Sequence, residues 1–219
     1  MHARVTTATI QQDKIDECIR IFRDSIVPDI QRQKGFRDLL MLTNRATGKS
    51  AFYALWESEA DLRANEASGS YQLQVAKLLP MFVGQPTREI YEVTVNELSA
   101  LRVGSVYGRV TSAIFQQGKI DEGTRILRDS ILPEARKQQG FDGLLSMVDR
   151  NMGKSYTLSC WESKADMKAS ESSGFYQAQL AKLHSLFIGQ PTHESYEVTV
   201  PIAIAPPSAV DTQVHPPTP

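Results

Sequence analysis

The sequence is poor in the residues that build stapled or metal-held folds. Of its 219 residues only 2 are cysteines, Cys18 and Cys160, and 4 are histidines, His2, His184, His193 and His215. The chain carries an internal repeat, described below, in which Cys18 aligns with Gly123 and Cys160 with Leu55. No cysteine or histidine therefore recurs in both copies, and neither a disulfide framework nor a paired metal site is expected. Both thiols read as small buried hydrophobes in a reducing compartment. No apolar run reaches the roughly 18 to 20 residues of a membrane helix. The N-terminus, Met1-His2-Ala3-Arg4-Val5, enters a strand pattern without an apolar signal core, so a cytoplasmic protein without a membrane partner is expected. Net charge is -1, with acids and bases interspersed, which excludes the basic footprint of a nucleic-acid binder. Gly-x-Gly-x-x-Gly, the Walker loop, Gly-x-Ser-x-Gly and Cys-x-x-Cys are all missing. A Rossmann flavin or nicotinamide site, NTP hydrolysis and structural zinc are unsupported, and no cofactor is expected.

What the sequence does contain is a long repeat. Ser50-Ala51-Phe52-Tyr53-Ala54-Leu55-Trp56-Glu57-Ser58 returns as Ser155-Tyr156-Thr157-Leu158-Ser159-Cys160-Trp161-Glu162-Ser163. The alignment runs without a gap from Arg4 with Arg109 to Val95 with Val200, and more than half of the pairs are identical. A period this long reads as tandem duplication of a domain rather than a solenoid. The expected organisation is a first unit over 1–96, a linker over 97–107, a second unit over 108–200 and a proline-rich tail over 201–219 that has no pattern able to bury a core.

Each unit reads in the same order. Arg4 to Ile10 is short and β-branched, a strand. Asp13 is placed to cap a helix whose apolar stripe is Ile15, Cys18, Ile19, Phe22 and Ile26, and Pro28 is expected to interrupt or kink it. Two strands follow, Phe36 to Asn44 and Ser50 to Glu57, joined by a hairpin turn in which Gly48 is free to take positive φ. Ser58 to Asp61 resembles a capping box with Asp in the place of Glu, and opens a short helix to about Ala67. A further helix carries Tyr71, Val75, Leu78 and Phe82 and is expected to end at Gly84; Pro86 to Val95 is the last strand. This β-α-β-β-α-β order is ferredoxin-like. The predicted fold class is therefore α+β, with two tandem ferredoxin-like units packed sheet to sheet as an intramolecular, pseudo-dimeric α+β barrel, because each sheet has a second face that must be covered.

The unit order, its size and the strand ending in Leu55-Trp56-Glu57-Ser58 before a helix resemble the antibiotic biosynthesis monooxygenase family, whose members are dimeric α+β barrel proteins. The resemblance covers residues 3–96 and 108–201. It implies cofactor-independent oxygenation of a small aromatic or quinol-like compound in a pocket between sheet and helices, with a non-catalytic ligand-binding or regulatory module as the alternative. The family also has a heme-degrading branch, marked by an Asn on the first strand and an iron-ligating His on the helix after the Trp. Trp56 and Trp161 match that branch's Trp, but the first strands hold no Asn, and Glu66 and Glu171 lie about where the His would fall.

The resemblance places Trp56 and Trp161 at the pocket, where they would stack on a flat substrate; as plain packing they would fill the gap between sheet and helix. Tyr71 and Tyr176, kept in both copies, could direct a phenol hydroxyl at a substrate oxygen or serve as core residues of their helix. Glu66 and Glu171, also kept, are candidate bases able to take a proton from an acidic phenol or carbon, provided burial raises their pKa; otherwise they are solvated helix-end carboxylates. Of the shared arginines, Arg4 and Arg109 are candidate binders of an anionic oxygen, and Arg45 and Arg150 share that reading with surface ion pairing. The opposed charges of Asp16, Glu17, Arg20, Arg23 and Asp24 read as an exposed helix face or an interface with a further copy. Ala51→Tyr156, Phe52→Thr157 and Tyr53→Leu158 show that the sheet faces differ between the copies.

Overall fold

Strand β1 (His2–Thr9) is hydrogen-bonded on both edges, to β3 (Lys49–Trp56) and to β4 (Thr87–Asn96), while β3 pairs on its far side with β2 (Phe36–Thr43), all antiparallel. The second half repeats the arrangement with β5 (Val106–Ile114), β6 (Phe141–Asp149), β7 (Lys154–Trp161) and β8 (Thr192–Val200). In this computed structural model, which describes residues 1–98 and 106–200, the edges left over pair across the repeats: β2 with β8 and β4 with β6. The eight strands thereby form a closed barrel in the order β1-β3-β2-β8-β5-β7-β6-β4. Closure removes every open sheet edge. The expected tail over 201–219 and most of the expected linker over 97–107 lie outside the described residues.

Alternation along the strands divides the core. Ala51, Tyr53 and Leu55 of β3 point into the barrel with Leu40, Leu42, Leu145, Met147, Leu158 and Cys160. Phe52, Ala54 and Trp56 point outward to the helices. A strand buried on both faces has no polar side to show, which is why Ala51 to Trp56 is continuously apolar rather than alternating. The outer layer over the first repeat is α1 (Ile15–Ile21), a π-helical turn (Phe22–Ile26), α2 (Val27–Gln31), α3 (Glu59–Ala67) and α4 (Ser70–Leu78). Over the second it is α5 (Ile120–Ile126), a π-helical turn (Leu127–Ile131), α6 (Leu132–Ala135), α7 (Lys164–Ser172) and α8 (Phe175–Ala181). No helix among the described residues is long and apolar enough to cross a membrane.

Local expectations are corrected at several points. Asp13 caps nothing: Gln12–Lys14 is a single 3-10 turn and α1 starts at Ile15 without a side-chain cap. Pro28 does not break its helix. The wider π turn bonds the Val27 amide to the Phe22 carbonyl, five residues back, so that the chain passes through the proline, which has no N–H to offer. The second repeat does the same at Leu132 and Leu127, ahead of Pro133. The capping box is half formed: Ser58 Oγ accepts the Asp61 amide at 3.1 Å, but the Asp61 carboxylate takes the Ser58 hydroxyl rather than the Ser58 amide. Helix α4 ends at Leu78, and a 3-10 turn containing Pro80 follows, so Gly84 lies beyond the helix and Phe82 sits in extended chain bridged to Ile10. Gly48 behaves as expected, with φ +74; a Cβ there would fall 2.2 Å from the Ile10 carbonyl oxygen.

Arg45 and Arg150 join the repeats rather than facing a pocket. Arg45 reaches Glu197 at 2.9 Å and Asp16 at 2.8 Å, and Arg150 reaches Glu92 at 2.5 Å and Asp121 at 2.9 Å. Lys49–Glu194 and Lys154–Glu89 add two further cross-repeat pairs. The hydrogen bond from Arg150 holds the Glu92 carboxyl below the usual carboxylate range, and the one from Lys49 does the same for Glu194. Carboxylates with lowered folded pKa values stabilise the fold above the unfolded value of about 4.3 and lose that contribution as pH falls through the folded ones. Melting temperature should therefore hold from pH 7 down to about 5 and drop below about 4. In Glu92→Gln/Glu194→Gln the drop should be shallower; an unchanged acid profile in that variant would show that these pairs add nothing to closure.

Candidate functional site

The outward face of β1 carries Arg4 and Thr6 into the layer between sheet and helices, while Ala3 and Val5 face the barrel interior. Arg4 is 3% exposed. Its guanidinium donates to Asn65 Oδ1 at 2.9 Å, lies 3.8 Å from Glu66, and sits over the rings of Tyr71 at 4.1 Å and Trp56 at 5.8 Å. Tyr71 OH and Thr6 Oγ1 are 3.1 Å apart, and Glu66 is held from its other side by Arg88 at 2.7 Å.

The second repeat builds the same constellation from β5. Arg109, also 3% exposed, donates to Ser170 Oγ at 3.1 Å and Glu171 at 3.0 Å, with the ring of Tyr176 at 4.0 Å and that of Trp161 at 5.5 Å. Tyr176 OH is 3.0 Å from Thr111 Oγ1. Of the ten residues singled out from the sequence, all but Arg45 and Arg150 thus fall into two clusters of Arg, Glu, Tyr and Trp, one per repeat. Sequence reasoning passed over Asn65, Ser170, Thr6, Thr111 and His193. Thr6 and Thr111 were findable, since each is shared and lies two residues from its arginine on the same strand face. His193 was set aside because Arg88 is its counterpart. It stands beside Thr111 on β8, edge-on to Tyr176 at 5.1 Å and 3.9 Å from Glu171.

Burial pulls the Arg4 guanidinium down to about 10, against the raising influence of Tyr71 and Glu66, so it stays a cation at neutral pH. Burial raises the Tyr176 phenol, opposed by its bond to Thr111 and by Arg109, which leaves it a neutral hydrogen-bond donor.

A cavity lies against each cluster, and the two are unequal. The second-repeat cavity has a volume of about 90 Å³ and is lined by Arg109, Tyr176 and Trp161 together with apolar side chains such as Leu127, Leu144 and Phe187. The first-repeat cavity is about 40 Å³; Arg4 and Tyr71 line it, but Trp56, fully buried, does not. Neither Glu66 nor Glu171 lines either of these cavities; each is engaged with arginine instead. Arg109 and Tyr176 are the ionisable side chains lining the second cavity. Among the residues lining that cavity, Arg109 and Gln179 each have one fully buried polar atom without a hydrogen-bond partner, Arg109 Nε and Gln179 Oε1. A heme does not fit these residues: the volume is far below that of a porphyrin, and no His or Cys lines either cavity.

No protein-family model matches the sequence. An uncharacterized protein of Mycobacterium tuberculosis is 25% identical over 167 residues, spanning 74% of this chain and 72% of its own. Among solved structures, a presumed monooxygenase from Fusobacterium nucleatum superposes with a TM-score of 0.74 at 12% identity, covering 93% of this chain and 94% of that one. An anthrone oxidase-like protein superposes at 0.66 with 15% identity, covering 93% of each. The chain has the fold of the antibiotic biosynthesis monooxygenase-like ferredoxin-fold proteins. At these identities the likeness is one of architecture; the chemistry rests on the site.

The two tryptophans differ in a testable way. Trp161 Nε1 donates to Ser159 Oγ at 3.1 Å, whereas Trp56, with Ala54 in the corresponding place, has a buried N–H without a partner. Ser159→Ala should cost about 1–3 kcal/mol in urea unfolding, and Ala54→Ser should gain about 1 kcal/mol by supplying the missing acceptor. Equal and negligible effects would mean that the Ser159 bond does not matter to folding.

Proposed function

We propose that the chain is an oxygenase that binds a small aromatic, quinol-like molecule between sheet and helices and oxygenates it without a cofactor. The observation that carries this reading is a buried arginine lining a mostly apolar cavity, backed by Tyr176 and Trp161. A buried cation in a site of low polarity stabilises an oxyanion far better than one in water. A hydroquinone placed there is held as its phenolate by Arg109, oriented by Tyr176, and stacked by Trp161. Ionisation makes the ring electron-rich enough to pass an electron to O2. Recombination of the radical pair at a ring carbon gives a hydroperoxide, which loses water. Overall a hydroquinone and O2 yield a hydroxyquinone and water, the substrate supplying all the electrons. Glu66 and Glu171 serve in this scheme to hold the arginines rather than as bases, and the phenol proton leaves to solvent.

A second reading, ligand binding without turnover, is favoured by the lining itself, since no carboxylate or histidine faces that cavity to act as a base. Oxygen uptake with a panel of single-ring hydroquinones separates the two. On the oxygenase reading Arg109→Gln should lower kcat/KM by about 10²–10³ and Tyr176→Phe by less, as for loss of an oxyanion donor. Saturable tryptophan quenching with no uptake by folded protein selects the binding module, and uptake that survives Arg109→Gln places the reaction elsewhere.

A further inference from the structure

The two cavities share a wall plan but not its side chains. On the helix-facing side of the first sheet, one cross-strand row is Thr6, Phe52 and Met41 and the next is Arg4, Ala54 and Leu39. In the second sheet the rows are Thr111, Thr157 and Ser146, then Arg109, Ser159 and Leu144. Three apolar side chains, two of them large, thus become small hydroxyl residues. On the helix side Phe22 becomes Leu127 and Ile30 becomes Ala135. The ring of Phe52 fills the first space, packed 5.0 Å from Phe22 and 6.0 Å from Phe82. What remains there is about 40 Å³, less than half of the about 90 Å³ in the second repeat. The second cavity also keeps hydrogen-bonding capacity unspent. Thr157 Oγ1 donates to Ser146 Oγ at 3.3 Å, and both residues line the space, where the Ser146 hydroxyl has a proton to give. Unmet buried polar groups cost free energy until something satisfies them.

We infer that the chain takes one ligand, in the second repeat alone. There Ser146 and Thr157 recognise a second oxygen substituent, on the part of the ring away from the oxygen held by Arg109, and Phe52 is the residue that closes the first repeat. The inference rests on the reading that the second-repeat cavity is a ligand site. The ligand class it selects is a single ring bearing two oxygen substituents. A site with polar groups waiting for a partner rejects the analogue lacking it more strongly than an apolar pocket rejects a missing methylene.

Calorimetric titration of the full chain with toluene, phenol, resorcinol and hydroquinone tests this. The expected result is one site per chain, with a dihydroxybenzene bound about tenfold or more tighter than toluene. Thr157→Val, which keeps the volume, and Ser146→Ala should each shrink that preference while leaving toluene unchanged. Thr157→Phe should abolish binding, and Phe52→Thr should raise the stoichiometry toward two; circular dichroism and melting temperature establish that each variant is folded. Two sites in the wild-type chain, or binding that survives Thr157→Phe, overturns the assignment to the second repeat. Equal affinity for toluene and the dihydroxybenzenes, or a preference untouched by Thr157→Val and Ser146→Ala, overturns the polar recognition while the ligand site stands. If none of the four probes binds to folded protein, the ligand-site reading itself fails.

Discussion

Strand edges decide this structure. In each repeat the order β4-β1-β3-β2, or its equivalent, leaves two outer strands with unpaired backbone groups, and the other repeat supplies the partners through β2–β8 and β4–β6. Once those ladders form, one face of each sheet becomes barrel interior and the other is left for helices. Leu55, Cys160, Leu145 and Leu40 can then be wholly excluded from water without a helix against them. The same closure explains the cross-repeat ion pairs of Arg45 and Arg150. Hairpin turns at the ends of β2 and β6 come to rest beside β8 and β4, and charges on those turns find their opposites there.

Because the helices sit outside, the Arg–Glu–Tyr–Trp clusters are confined to a thin layer between them and the sheet. An arginine on the outward face of a first strand would ordinarily reach solvent. Here it is covered by α3 and α4, or by α7 and α8, and its charge is met by a helix-end glutamate and by two aromatic rings. That arrangement is expensive to build, since a buried guanidinium gives up its hydration and its partners recover only part of the loss. Both repeats nevertheless retain it, although their cavities have diverged.

The fold was legible because its evidence is periodic and repeated. The apolar series Tyr71, Val75, Leu78 and Phe82, the Ser58 and Ser163 caps and the glycine turns all occur twice, so chance matches cancel. The site was legible as a set of residue types but not as an arrangement. Glu66 reads from sequence as a candidate base or a solvated helix-end carboxylate, and only the packing of α3 against β1 turns it toward Arg4. Trp56 and Trp161 look alike in sequence, yet one lines a cavity and the other does not, because Phe52 stands where Thr157 stands. Helix details were harder to read. A π turn before Pro28 leaves no mark on the apolar pattern, and Gly123 in α5 looks like a helix defect until Phe115 is seen lying against it, 2.3 Å from where a Cβ would be.

Placing both halves of the barrel on one chain has a consequence for how such a protein can change. When two identical chains assemble, every substitution is made twice, and widening one cavity removes core from both sides at once. A single chain escapes that doubling. Thr157 and Ser146 thin the packing on one side only, while Phe52 and Met41 keep the other dense. The first half can be selected for dense packing and the second for open space, so that one barrel holds a filled layer and a hollow one back to back.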